Sequence, residues 1–254
     1  MATDNQPPVE EEKENKATMP FLEHLEELRW RLLKCIIAVV VMAFVAFYFS
    51  DYLIRFIKIP LGDIPLYNIK VTGSFYAYLK VSLITGILAA LPVVFYQLWS
   101  FMSPGLYKHE KAMVIPLVMI STILFLIGGA FCFVMVLPLS FKFLTGFSGD
   151  IIKNTITIGS YISFVGLLLM SFGFAFQLPI LAYFLAKIGL ISAHTLSKGR
   201  RYAVVIILIA GAILTPPDVF TQVLLAVPLY FLYEISIVVV KITQRKKHKE
   251  IESD

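Results

Sequence analysis

The acids of this chain fall where they could grip a cation. Glu23, Glu26 and Glu27 stand in the stretch FLEHLEELRWRLL, residues 21–33, and Glu110 stands in a second polar stretch, SPGLYKHEK, residues 103–111. Wound as a helix, the first stretch separates Phe21, Leu25, Leu28 and Leu32 onto one side and Glu23, Glu26, Glu27 and Trp30 onto the other. Carboxylates suit a guanidinium because its planar fork gives paired, charge-assisted hydrogen bonds. One exposed pair contributes only ~0–1 kcal/mol. Two arginines held by separate carboxylates in a half-dry groove would each contribute about 1.5–3 kcal/mol. That makes a weak but specific latch, and lysine would lose the second hydrogen bond. The same residues have a plainer reading as a solvated helix face. Glu27 and Arg31 are i,i+4 partners, and Glu110 lies beside Lys108, His109 and Lys111. Arg29, near the edge of the apolar face, either marks the membrane boundary or orders the acids.

Other chemistries lack their residues. Nothing resembles HExxH, a Walker phosphate loop, GxSxG or a dinucleotide fingerprint. The sequence therefore predicts no enzyme, no cofactor and no metal, and any energy must come from partners or from the membrane potential. Cys35 and Cys132 fall inside apolar runs and read as small buried hydrophobes. The net charge of +5 is no sign of nucleic acid, because in a membrane protein it is the location of Lys and Arg that carries information.

The elements that must position the acids are membrane spans. Of 254 residues 58% are hydrophobic and only 15% charged, against about a quarter charged in soluble domains, and the apolar residues come in long runs suited to helices. Residues 1–18 are polar and read as a disordered tail. Spans are expected at about 32–49, 76–99, 113–137, 161–186, 202–214 and 219–240, making one membrane domain over 19–240 with a charged tail over 241–254. The first span reads as uncleaved, since its polar leader is too long for a signal-peptide n-region. Between Asp51 and Ser74 a partly helical outer cap is expected. Pro92 should bend span 2. Span 3 would be roughly 38 Å long and must tilt, with Pro138 closing it. Gln177 stands beside Pro179 at membrane depth, either bonded to a neighbouring helix or binding at a helix break.

Charge bias chooses between five and six spans. With six, and both termini inside, sixteen of the 22 Lys and Arg residues are cytoplasmic and six are outside; with five the split is even. The positive-inside rule favours six. The last two spans are then short, and Glu234 in the sixth is a weak functional flag.

FLEHLEELRWRLL, SPGLYKHEK, FAFQLP and LTPPDVFTQ, in this order, resemble the TatC family, the multispanning core of the twin-arginine protein translocase. The resemblance extends from Phe21 to about Val240. It implies six spans in a concave bundle in the bacterial inner membrane, with both ends cytoplasmic. It implies recognition of signal peptides bearing two adjacent arginines, and export of folded proteins by the proton-motive force. The implied partners are TatA- and TatB-type single-span proteins, in a hetero-oligomer of several copies docked around spans 5 and 6. Carried over by position, the signal-peptide carboxylates are Glu27 and Glu110. The sensitive N-terminal arginine is Arg29, the prolines are Pro60 and Pro92, and the acid between the last spans is Asp218. Many members carry Glu where this chain has Gln177, so partner docking is expected there but no proton relay. A secondary transporter with a midplane site at its broken helices is the competing function; against it stand the lack of paired intramembrane charges and of an internal repeat.

Overall fold

The structure, a computed structural model, describes the backbone of residues 9–102, 114–146, 155–214 and 219–253, with side chains described except at 9–22, 220 and 246–253. The described residues are all-α apart from one short strand pair. Helix α1 is Val9–Tyr48, followed by α2, Ser50–Lys58, and a 3-10 turn at Ile59–Leu61. Helix α3 is Gly73–Met102. Helix α4, Val114–Phe131, continues through a π turn at Cys132–Val136 into α5, Leu137–Gly146. Helices α6, Ile158–Ala175, and α7, Leu178–Lys187, form one broken stretch. Then come α8, Ala193–Lys198, α9, Arg200–Leu214, and α10, Val219–Ser253.

Five of these stretches are long and apolar enough to cross a bilayer: Glu23–Tyr48, Gly73–Met102, Val114–Gly146, Ile158–Lys187 and Thr221–Arg245. The sixth, α9, has 15 residues and covers only ~22 Å, short of the ~30 Å hydrocarbon layer. Of the final pair expected to be short, only α9 is; α10 runs on past Val240 because Lys241 and Arg245 can snorkel from a continuing helix. The two form an antiparallel hairpin. Gln222 Nε2 donates to the Leu208 carbonyl at 2.9 Å, and the first residue of α9, Arg200, meets Glu234.

Of two prolines inside helical stretches, one behaves differently from expectation. Helix α3 continues unbroken through Pro92, which is exposed on its outer side. Pro138 does not close the third stretch. A proline ring clashes with the carbonyl four residues back and offers no N–H. Here the residue four back, Val134, lies in the π turn, where i→i+5 bonding widens the helix locally, and helical backbone goes on to Gly146. The N-terminal helix also extends back to Val9, into the segment read as a tail.

Lipid tails are as apolar as leucine, so spans associate by close packing rather than by hydrophobicity. That places small residues at the crossings. A Cβ on Gly86 of α3 would lie 2.6 Å from the Ala43 backbone of α1, and one on Gly128 of α4 would lie 2.7 Å from the Phe172 carbonyl of α6. The core between α3, α4 and α6 is filled by Val81, Phe125, Cys132, Val165, Leu168 and Phe172, all essentially fully buried. Cys132 is thus core as expected, while Cys35 is half-buried; both thiols are free.

The expected cap between spans 1 and 2 is partly helical. Tyr78 of α3 donates to Asp51 of α2 at 2.7 Å, and Tyr161 of α6 donates to the Ile57 carbonyl at 2.6 Å. Strand β1, Leu66–Tyr67, pairs in parallel with β2, Ile156–Thr157, tying the cap to the start of α6.

Candidate functional site

The acid-bearing part of α1 packs along α3, and this decides which acid meets the bundle. Glu27 is half-buried, whereas Glu23 and Glu26 are exposed, as is Arg29. Leu25, Leu28 and Leu32 are exposed, at 42–57%. They face outward, where acyl chains would cover them, and the polar contacts to α3 come from His24 and Arg31.

At that contact Arg31 Nε donates to Glu27 Oε1 at 2.9 Å, and Nη2 donates to the same oxygen. Arg31 Nη1 donates to Gln97 Oε1 of α3 at 3.2 Å. His24 stacks on Phe101 of α3, with ring centroids 4.3 Å apart and planes within 15°. The i,i+4 pairing of Glu27 with Arg31 is therefore formed, and Gln97 anchors it across the helix pair. Among the described residues Glu27 Oε2 accepts no hydrogen bond, His24 Nδ1 at 3.8 Å being too far, so this oxygen keeps acceptor capacity beside a flat aromatic shelf. A carboxylate oxygen next to stacked rings can take a guanidinium by hydrogen bond and by stacking together.

Gln97 and Phe101 escape sequence reading. A lone Gln late in an apolar span is the only signal either gives, and it does not show that the position faces α1. Glu110 and Asp218 lie outside the described residues. Pro60 sits in the 3-10 turn that ends α2, lining a cavity of about 460 Å³ with Pro138, Phe141 and Lys142, far along the chain from Glu27. Among the described residues no group of three His, Cys, Asp or Glu could hold a metal.

Gln177 caps the break between α6 and α7. Pro179 stands in the first turn of α7, where a missing N–H costs nothing. The Gln177 Nε2 donates to the Ser121 carbonyl of α4 at 3.1 Å, and Trp99 Nε1 of α3 donates to Ser121 Oγ at 2.9 Å. The neighbouring-helix bond is thus the one formed. A carbonyl can only accept, so the amide nitrogen must face Ser121, and Oε1 points the other way.

Glu234 does have a cationic partner. Arg200 Nε and Nη2 reach its two oxygens at 2.7 and 3.0 Å, and Tyr230 donates to Oε1 at 2.9 Å. The pair joins a residue of the last span to the first residue of α9. Because Arg200 begins α9, the pair sits at the mouth of the hairpin and not at mid-depth.

Helices of this length, joined at glycine crossings and opening at one end onto a carboxylate notch, define a multi-pass all-α membrane protein. The family model described as Sec-independent protein translocase protein (TatC) matches residues 23–228. The chain is 43% identical over 240 residues to the Sec-independent protein translocase protein TatC of Aquifex aeolicus (strain VF5), covering 92% of this chain and 99% of that one. It is 40% identical over 225 residues to the protein of that name in Escherichia coli (strain K12), covering 87% of each. A crystal structure of a twin-arginine translocase receptor, TatC, superposes with a TM-score of 0.79 at 41% identity, covering 87% of this chain and 99% of that one. The chain belongs to the TatC family, components of a protein translocase rather than enzymes.

Proposed function

We propose that this protein is the signal-peptide receptor and core of a twin-arginine translocase in the bacterial inner membrane, exporting folded proteins with the proton-motive force. The observation that carries the reading is the Glu27 carboxylate held half-buried against α3 by Arg31 and Gln97, with one oxygen left for an incoming guanidinium. The second carboxylate is Glu110. Helix α3 leaves the Glu27 end at Met102 and α4 begins at Val114. The segment that carries Glu110 joins these two helices, and Glu110 is eight residues beyond Met102 in the sequence. The peptide's two arginines would be shared between Glu27 and Glu110. Glu23 and Glu26 would add long-range attraction, and Arg29 would set the depth of the segment at the membrane edge. A crystal structure with 41% identity is of a twin-arginine translocase receptor, which supports the same assignment.

TatA- and TatB-type single-span proteins would dock as partners in a complex of several copies. Gln177 has an acceptor oxygen directed away from Ser121, and α9 exposes Val205, Ile206, Ile209 and Ile213, an apolar face that a partner helix would cover. Pro60, Pro92 and Asp218 would act by shaping the cap, span 2 and the link between α9 and α10.

The test is a photo-crosslinker at Glu110, offered precursor peptides bearing RR or KK. RR peptides should label strongly and KK peptides weakly; equal labelling, or none, refutes the receptor reading. Glu27→Ala with Glu110→Ala should abolish export of twin-arginine precursors while the protein stays inserted. For docking, Gln177→Leu should weaken co-purification of the single-span partner, and unchanged co-purification would remove this residue from the interface.

A further inference from the structure

At the other end of α3 from Glu27 lies a cavity of about 840 Å³, bounded by the segment after β1, the first turns of α3 and the first turns of α6. Its charged lining is cationic, Lys70 and Lys80, and its other polar side chains are neutral: the amide of Asn68 and hydroxyls that include those of Thr72, Tyr76, Thr157, Ser160 and Ser163. Among the described residues no carboxylate lines it. Lys80 Nζ of α3 donates to Ser163 Oγ of α6 at 2.7 Å, while the Ser163 hydroxyl donates onward to the Gly159 carbonyl at 2.8 Å. That direction is forced, because an ammonium can only donate. Lys80 therefore carries two further N–H donors beyond that bond, at a place where the lining offers no negative charge.

Depth identifies what would lie there. From Lys80 to Gln97 α3 rises ~25 Å, close to the ~30 Å of a hydrocarbon layer. Gln97 binds Arg31 at one end, and Lys80 binds Ser163 at the other, so the two mark opposite headgroup levels. One turn further into the bilayer, the side chains flanking the α3–α6 seam are Leu83 at 50% and Leu167 at 46% exposure. A cationic mouth above an open apolar seam suits a molecule with a phosphate at the top and acyl chains beneath it.

We infer that this cavity is a binding site for the phosphate of an anionic phosphodiester lipid, with Lys80 and Lys70 on the phosphate, Ser160 and Tyr76 as hydroxyl donors, and the acyl chains along Leu83 and Leu167. The lipid would cement the outer ends of α3 and α6 where glycine packing gives way to the cap. It does not depend on the peptide site.

Native mass spectrometry of the full chain in detergent, titrated with phosphatidylglycerol or phosphatidylcholine, tests this. Phosphatidylglycerol should be retained about tenfold better. Lys70→Gln with Lys80→Gln should lower it to the phosphatidylcholine level, Lys80→Arg should preserve it, and Lys241→Gln on α10 should leave it unchanged. Equal retention of the two lipids, or retention surviving the double substitution, overturns the site. Complete displacement of phosphatidylglycerol by millimolar inorganic phosphate would also overturn it, by showing a free-anion site that owes nothing to the acyl chains. A far-UV circular dichroism melt of each variant confirms that lost retention is not lost fold.

Discussion

Glu27 meets Arg31 before it meets any ligand, and this shapes what a substitution there should do. The guanidinium takes only Oε1, so among the described residues the carboxylate is half satisfied. Replacing Glu27 by Gln keeps the volume and the Arg31 contact but removes the charge. A charge-assisted bond contributes about 1.5–3 kcal/mol, so Glu27→Gln should weaken binding of a twin-arginine peptide by roughly 10- to 100-fold, read by fluorescence titration in detergent. A twin-lysine peptide should hardly respond. Gln97→Leu should cause a smaller loss, since it frees Arg31 without removing the carboxylate. If Gln97→Leu weakened binding as much as Glu27→Gln, the carboxylate would not be the principal acceptor. At this scale the sequence was informative about residue type and poor about direction. FLEHLEELRWRLL marks the acids and groups the leucines on one side, but helical periodicity does not say whether that side meets lipid or protein. In a bilayer the apolar side is solvated by lipid, and so the inward face carries His24, Glu27 and Arg31.

Elements were legible wherever apolar runs met polar breaks. The start of α3, the Gln177–Pro179 break and the short α9 all follow from composition, because length in hydrocarbon and proline at a helix start are local constraints. The π turn was not legible. It spans Val134, the residue four back from Pro138, and proline alone reads as a stop. Helix pairing was likewise hidden, because a glycine inside an apolar run does not name its partner. Gly86 is the clearest case, since a single Cβ there would collide with the Ala43 backbone, which unlike a side-chain tip cannot rotate away. Gly86→Val should therefore push α1 from α3 and cost about 1–3 kcal/mol, the usual price of overpacking, visible as a lower melting temperature in detergent. It should also loosen the Glu27 notch, because Arg31 and Gln97 belong to the two helices being separated. Gly129, whose added Cβ would meet nothing within 4 Å, is the control: Gly129→Ala should leave both melting and peptide binding unchanged.

Across the whole molecule, the number of crossings rests on how α9 and α10 run. Counting cations separated five spans from six only through the bias of Lys and Arg. The geometry adds an independent argument. Arg200 contacts Glu234 while Leu208 contacts Gln222, so sequence separation shrinks along the pair and the helices are antiparallel. A single continuous fifth span cannot give that pattern. If α9 crosses despite its length, thinning the bilayer locally, Arg245 at the far end of α10 returns to the side of Lys198. Single cysteines placed in a background with Cys35→Ala and Cys132→Ala test this with a membrane-impermeant maleimide on intact spheroplasts and on inverted vesicles. Glu26→Cys, Lys198→Cys and Arg245→Cys should label only in inverted vesicles, and Lys70→Cys only in spheroplasts. Labelling of Arg245→Cys in spheroplasts would instead mean that the α9–α10 hairpin leaves the chain on the outer side. The cation bias would then have been misread, and the basic end of α10 could not stand on the same surface as the Glu27 notch.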